Sequence, residues 1–232
     1  MAYASKINAY SAHVVTKLVG DAFRPKSVVD FGCAVGGWLM AWKTNGVETV
    51  QGIDGPYVDP NALLIERHEF LSADLSHPIN LSGSFDIAQS VEVAEHLPQA
   101  SARILVAGLC ERAPVVLFSA APPGQGGRGH VNEQPYEYWR DLFAEQGFTL
   151  YDWVRPLIRD DAGVQQWYRY NLLMFIRDGY DVPETIRATL VPNDAPVPDV
   201  SPPLFRLRKA MVTLIPGKTQ DLISTLLARI HG

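Results

Sequence analysis

The stretch SVVDFGCAVGGW, residues 27–38, decides the fold. Its first half is a short run of apolar and β-branched residues, which is typical of a buried strand, and its second half is rich in glycine. GWLMAWKTNG (37–46) then predicts a helix that ends at Asn45 and Gly46. A strand that passes through a glycine-rich turn into a helix is the first unit of a parallel α/β sheet, and the turn lets a ligand approach the backbone.

The same alternation continues along the chain. A helix is predicted over residues 4–20, further strands at 47–54, 68–75, 84–91, 114–120, 148–154 and 170–177, and helices at 98–113 and 134–147. This order favours a mainly parallel sheet covered by helices on both faces. Ligands of such sheets bind beyond the carboxyl ends of the strands, and most chemically capable residues of this chain fall there.

Two acids follow the next strands at this edge. Asp54 closes the second strand, 18 residues after Gly36, where a carboxylate can accept hydrogen bonds from both hydroxyls of a ribose. Asp74 follows the third strand within SADL. For each acid, a solvated turn residue is the alternative.

The segment DFGCAVGG (30–37) resembles the first motif of class I S-adenosylmethionine (SAM)-dependent methyltransferases, D-x-G-C-G-x-G, with Ala34 in place of the middle glycine. NAD-dependent dehydrogenases share such a turn, but no hydride-transfer constellation is evident here. The resemblance covers roughly residues 25–177 and implies an α/β, Rossmann-like methyltransferase fold with a mainly parallel seven-stranded sheet. It also implies that SAM is held by Asp30, Gly32, Cys33, Gly36, Asp54, Asp74, Leu75 and Ser90, with Asp74 at the adenine amino group and Leu75 at the ring.

Two carboxylates and an imidazole follow the fourth strand in Glu92-Val-Ala-Glu95-His96. If this segment is an α-helix, the three side chains share one face. His130 lies in the loop after the fifth strand, so we expect all four side chains to meet above the sheet. Such a set of oxygen and nitrogen donors suits a divalent ion.

The pattern E-x-x-E-H with a distant histidine resembles that of metal-dependent small-RNA 2′-O-methyltransferases, and ubiquinone-biosynthesis O-methyltransferases carry a similar segment. The resemblance implies that Glu92, Glu95, His96 and His130 hold Mg, Mn, Fe or Zn, which would lower the pKa of an acceptor hydroxyl. Glu92, His96 and His130 would be the catalytic residues. Two alternatives stay open: a metal-free site with His96 or His130 as general base, and a structural role for the acids.

The segment APPGQGGRGH (121–130) contains four glycines and two prolines. It can close over a substrate, or it can be a disordered connection. Asn132, Glu133 and Tyr136 follow it and are candidates to line the acceptor pocket. Tyr136 would need a strongly lowered pKa to act as a base.

Composition limits the class of protein. The chain has 232 residues, 47% of them hydrophobic, which suits one domain with a sizeable core. A net charge of −5 disfavours general nucleic-acid binding. The two cysteines, Cys33 and Cys110, indicate neither disulfides nor zinc, and neither a signal peptide nor an apolar run of about 20 residues is evident. We therefore expect a cytoplasmic protein without a membrane span.

The expected organisation is a methyltransferase domain over 1–180, a proline-rich linker or extended arm over 181–203 and a basic amphipathic tail over 204–232. The last thirty or so residues carry five basic residues against one acid. We expect the tail to pack on the core or on a second copy of the chain in a homodimer; docking to a membrane surface or an acidic partner stays open.

The predicted function is O-methylation of a hydroxyl on a small molecule, such as a glycan or a natural-product intermediate. Methyl transfer is an in-line displacement at an activated carbon, so the protein must align the acceptor and remove its proton. N-methylation and RNA 2′-O-methylation are the enzymatic alternatives, and the acidic charge disfavours RNA. A SAM-binding scaffold without catalysis is the alternative from another class, which the retention of four candidate ligands disfavours.

Overall fold

The computed structural model describes residues 2–213, with side chains described from residue 9 onward. This part of the chain contains one seven-stranded sheet. Its strands are Ser27–Phe31 (β1), Thr49–Asp54 (β2), Phe70–Ser72 (β3), Ile87–Val91 (β4), Val115–Ser119 (β5), Phe148–Tyr151 (β6) and Leu173–Arg177 (β7). The spatial order is β3-β2-β1-β4-β5-β7-β6, and β7 runs antiparallel to both of its neighbours. The predicted α/β fold with a mainly parallel sheet is confirmed.

Helices cover both faces of the sheet. The α-helices are Ala2–Phe23 (α1), Gly37–Thr44 (α2), Ala102–Arg112 (α3), Tyr136–Ala144 (α4), Val154–Ile158 (α5), Gln166–Asn171 (α6), Glu184–Arg187 (α7) and Pro203–Thr213 (α8). Among the described residues, no helix combines the length and the apolar character needed to cross a membrane.

Strand β5 shows why the core has two layers. Val116 and Phe118 contribute to the apolar layer on the face that α3 and α4 cover, whereas Val115 and Leu117 contribute to the layer beneath α1 and α2. All four residues are buried, because successive side chains of a strand point to opposite faces and this strand is covered on both.

Several element boundaries differ from the predictions. The third strand begins only at Phe70, because Arg67–Glu69 form a 3₁₀ turn that a reciprocal capping box closes, and it ends at Ser72. The predicted strand 148–154 ends at Tyr151, and the last strand begins at Leu173 because α6 extends to Asn171. Short apolar runs do not distinguish a buried helix from a strand, so the pattern alone placed these ends wrongly.

The proline-rich segment 181–203 packs against the domain. Ile186 and Val197 are buried, and Leu190 forms an isolated antiparallel bridge with Tyr151 of β6. Its role as a linker between a domain and a tail stays a prediction. Most of the predicted tail, residues 214–232, lies outside the described residues.

Candidate active site

A cavity of about 640 Å³ opens at the carboxyl ends of β1, β2 and β4. Its wall includes six residues singled out from the sequence, namely Gly32, Asp54, Asp74, Leu75, Glu92 and His96. Residues predicted for cofactor binding and residues predicted for catalysis therefore share one space, as expected for strand ends of a parallel sheet.

Four other predicted cofactor residues do not line this cavity. Asp30 and Ser90 are buried within β1 and β4. The side chain of Cys33 packs so closely on Gly52 that a Cβ there would lie 2.6 Å from its Sγ. Gly36 shapes the loop through its backbone, with φ +87°. Direct cofactor contact by these four residues stays a prediction.

The loop between β1 and α2 approaches the segment after β4 very closely. Gly32 has φ +95°, and a Cβ on it would lie 2.3 Å from the side chain of Val93. Ala34 replaces the usual glycine of the motif but still adopts a left-handed conformation, with φ +48°. This conformation costs a residue with a Cβ roughly 1 kcal/mol, and it lets the Ala34 N–H donate to Asp54.

The Asp54 carboxylate already has three donors. Its Oδ2 accepts the N–H of Ala34 at 2.6 Å, and its Oδ1 accepts the N–H of Gly55 at 2.7 Å and the hydroxyl of Tyr57. Partial desolvation of the hydroxyl and its bond to Asp54 raise the pKa of Tyr57 to about 12, so the phenol keeps its proton. Sequence reasoning missed Tyr57, because a tyrosine three residues beyond an acid has no defined orientation in a loop.

Asp74 stands at the rim of the cavity. Its exposed carboxylate accepts the N–H of Ser76 at 2.9 Å and lies 3.1 Å from Nδ1 of His77. The bond from Ser76 is the main reason that the pKa of Asp74 is lowered. The carboxylate is therefore ionised and can accept a donor such as an amino group.

Residues 92–96 do not form the single α-helix that a shared face of Glu92, Glu95 and His96 would require. The chain turns directly after β4, with Glu92 in the left-handed region at φ +54°, and only Ala94–His96 form a 3₁₀ turn. Glu92 therefore does not lie on a helix with Glu95 and His96. An α-helical register cannot begin where the strand end requires a left-handed residue.

Two side-chain amides hold the carboxylate of Glu92. The amide of Gln125 donates to its Oε2 at 3.1 Å, and the amide of Asn171 donates to its Oε1 at 3.2 Å. Asn171 also donates to Oε1 of Gln125 at 2.8 Å, which closes a three-membered network. Desolvation raises the pKa of Glu92, and bonds from Ser119, Asn171 and Gln125 oppose this shift. Sequence reasoning also missed Asn171, which lies in no recognisable motif.

Three of the four predicted metal ligands meet. Glu95, His96 and His130 each offer one ligand atom, and these atoms lie within 4.8 Å of one another. Glu92 is not part of this trio. Both carboxylate oxygens of Glu95 are buried without a hydrogen-bond partner among the described residues. Desolvation, followed by the charge of Glu92, raises the pKa of Glu95 to about 9.

The two histidines pack edge to face, with ring centroids 4.9 Å apart. Nδ1 of His96 lies 3.2 Å from the carbonyl oxygen of Gly129, which makes it the donor and leaves Nε2 with the lone pair. Nδ1 of His130 lies 2.8 Å from Oε1 of Glu133. Desolvation lowers the pKa of His96, so its imidazole is neutral at neutral pH.

The residues after the glycine-rich loop support this arrangement and do not line the cavity. Glu133 accepts the N–H groups of Gly124 and Gly126, both at 2.8 Å, and thereby folds the loop onto His130. Asn132 is buried and donates to the carbonyl of Ala94.

Tyr136 does not serve as a base. Its hydroxyl lies 3.0 Å from Oδ1 of Asn171 as a donor, and burial raises its pKa. The phenol therefore keeps its proton.

The fold is that of the Rossmann-like methyltransferases. Residues 3–107 match the family model of a methyltransferase domain. This match covers less than half of the chain, and together with the fold it favours a SAM-dependent methyltransferase. A search of curated proteins finds no match to the chain.

Solved methyltransferases share the fold at low identity. An O-methyltransferase family protein from Burkholderia thailandensis is 14% identical, with a TM-score of 0.56 over 73% of this chain and 56% of that one. Magnesium protoporphyrin IX methyltransferase from Synechocystis PCC 6803, with bound S-adenosylhomocysteine (SAH), is 18% identical, with a TM-score of 0.52 over 74% of this chain and 84% of that one. A SAM-bound amino pentose methyltransferase from Micromonospora echinaspora is 16% identical, with a TM-score of 0.53 over 76% and 97%. The chain thus spans just over half of the Burkholderia protein, and these likenesses show the fold alone.

Proposed function

We propose that this chain methylates a hydroxyl group of a small molecule with SAM and a divalent metal ion. The observation that carries the proposal is the carboxylate of Glu95, whose two oxygens are buried without a partner beside His96 and His130. An ionised carboxylate in such a place is very costly unless it is neutralised or coordinates a cation. Imidazole ligands suit Zn and Fe and a carboxylate ligand suits Mn, so this mixed set fits Zn, Mn or Fe.

The proposed cofactor position follows from the same cavity. Asp54 would accept ribose hydroxyls, Asp74 would accept the adenine amino group, and Leu75 would contact the ring. Gly32 would let the backbone approach the cofactor, because it carries no side chain where β1 turns into α2. This position brings the reactive end of the cofactor toward Glu92 and His96, which line the same cavity.

The chain's own groups would then orient the acceptor and receive its proton. When bound, the ion would lower the pKa of the acceptor hydroxyl. Glu92 is held by two amides and faces the cavity, so it can fix the acceptor by accepting a hydrogen bond. This reduces the four expected metal ligands to three, with Glu92 on the acceptor side.

A second candidate is metal-free methylation, of either an oxygen or a nitrogen, with His96 as the general base. The observation that favours it is the neutral imidazole of His96, whose Nε2 carries the lone pair at the cavity wall. A small-molecule acceptor is proposed in both cases, since a net charge of −5 disfavours RNA. A cytoplasmic location and a homodimer formed through the tail stay predictions.

Calorimetry and a turnover assay test the proposal. We expect SAH to bind, and Asp54→Ala to weaken binding about tenfold or more, because charged hydrogen bonds to ribose are lost. Glu95→Ala should keep SAH affinity but lose both turnover on hydroxyl acceptors and binding of Zn²⁺ or Mn²⁺. Asp160→Ala, which removes an exposed acid, is the control.

Each outcome separates the parts of the proposal. Turnover that survives exhaustive chelation would overturn the metal and favour His96 as base. Transfer to amines alone would replace O-methylation by N-methylation. Absence of SAH binding to the wild-type protein would overturn the cofactor site itself.

A further inference from the structure

Tyr57 is hydrogen-bonded to Asp54, the carboxylate that would recognise the ribose. Its hydroxyl donates to Oδ1 of Asp54, and its ring lines the same cavity. The ring lies directly on Gly55, where a Cβ would come within 2.2 Å of a ring carbon. Because Gly55 has no side chain, the ring of Tyr57 can lie over it and the phenol can reach the carboxylate.

The lone pairs of Asp54 limit what else it can bind. A carboxylate oxygen accepts about two hydrogen bonds in good geometry. The N–H of Gly55 and the phenol of Tyr57 use both positions of Oδ1, whereas the N–H of Ala34 uses one position of Oδ2. One acceptor position is left on Oδ2, so a ribose cannot place one hydroxyl on each oxygen while Tyr57 is bound.

We infer that Tyr57 sets the cofactor affinity of this site by competing with the ribose hydroxyls for Asp54. The inference rests on the proposed cofactor position at Asp54. Tyr57 leaves the carboxylate when SAM or SAH binds, and it returns when SAH departs. The returning phenol satisfies a carboxylate that the departing ribose would otherwise leave short of a donor.

The side chain of Tyr57 is free to make this exchange. It is 82% exposed, so rotation away from Asp54 breaks one hydrogen bond and needs no repacking of the core. The backbone donors from Ala34 and Gly55 stay in place, and they keep Asp54 oriented throughout.

Calorimetry with SAH on Tyr57→Phe tests the inference. The variant keeps the ring on Gly55 but removes the competing hydroxyl, so we expect it to bind SAH about two- to tenfold more tightly, the size of one net hydrogen bond. Tyr180→Phe is the matched control, because it removes a hydroxyl from another exposed tyrosine that does not line the cavity. Its affinity should equal that of the wild type.

A nucleoside pair tests the origin of the gain. Tyr57→Phe should strengthen binding of adenosine but not of 2′,3′-dideoxyadenosine, which has no ribose hydroxyl to take the vacated position. Equal or weaker SAH binding by Tyr57→Phe would overturn the inference, and a gain shared by both nucleosides would overturn the competition for Asp54. Absence of SAH binding to the wild type would instead refute the proposed function.

Discussion

Asn171 shows how a residue outside every motif enters the site. It is the last residue of α6 and lies far from β4 in the sequence. Its side chain is nevertheless buried and donates to both Glu92 and Gln125. It also accepts the hydroxyl of Tyr136 at 3.0 Å. One amide thus joins a strand end, a loop and a helix.

We predict that Asn171→Ala costs about 1–3 kcal/mol of unfolding free energy, because it leaves buried polar partners unsatisfied. Urea unfolding measures this loss, with Asn193→Ala in an exposed turn as the control, for which we expect a change within about 0.5 kcal/mol. A loss no larger than that of the control would show that the amide is not needed to satisfy Glu92.

At the scale of elements, the glycine-rich loop 121–130 and α8 fit together. Arg208 of α8 donates to the backbone carbonyl of Gln125 at 3.1 Å, and Lys209 pairs with Asp199 at 2.7 Å. Gly124 lies so close to α8 that a Cβ would come within 2.2 Å of the carbonyl oxygen of Lys209. The loop that carries Gln125 and His130 is therefore braced from outside by this helix.

We predict that Gly124→Ala displaces α8, whereas Gly83→Ala does not. Both glycines have positive φ, +79° and +87°, so the left-handed conformation destabilises both variants by roughly 1 kcal/mol. Only at Gly124 would the added Cβ clash with a neighbouring atom. Gly124→Ala should therefore lower the unfolding free energy more and should increase tryptic cleavage at Arg206 and Arg208. Equal losses without new cleavage would contradict this contact.

At the scale of the whole molecule, the sheet gathers acids at one edge. Asp30, Asp54, Glu92 and Glu95 come from three strand ends that lie side by side in the order β2-β1-β4. Burial raises the pKa of Asp30 to about 7; the neighbouring Gln89 amide opposes this shift, and the charge of Asp54 adds a smaller increase. The free protein therefore carries buried acids that favour the protonated form.

We predict that stability falls as pH rises through this range. The pKa of Asp30 is near 4 when unfolded and about 7 when folded, so its contribution is complete below pH 4 and is lost as pH rises to 7. The loss is at most about 1.4 kcal/mol per pH unit. Thermal unfolding between pH 4 and 8 should show a shallower decline for Asp30→Asn than for the wild type or for Asp160→Asn. Parallel curves for all three proteins would argue against a protonated Asp30.

Periodicity and local motifs were sufficient for the architecture. The alternation of strands and helices, the glycine-rich turn after β1 and the acids at the ends of β2 and β3 all depend on short-range patterns. They predicted the sheet and the edge of strand ends at which Asp54, Asp74, Glu92 and His96 lie. Such patterns suffice because a parallel sheet brings the carboxyl ends of its strands to one edge, independently of the conformation of the loops.

What the sequence by itself determined is thus the fold and the sheet edge at which the candidate site residues lie, because backbone periodicity and turn residues act over a few positions. Only the tertiary structure decided which groups touch. The left-handed turn at Glu92 removed it from the Glu95, His96 and His130 trio, and the fold brought Asn171, 79 positions away, onto its carboxylate. Such contacts depend on how loops from distant parts of the chain pack against each other, and no local pattern encodes that packing.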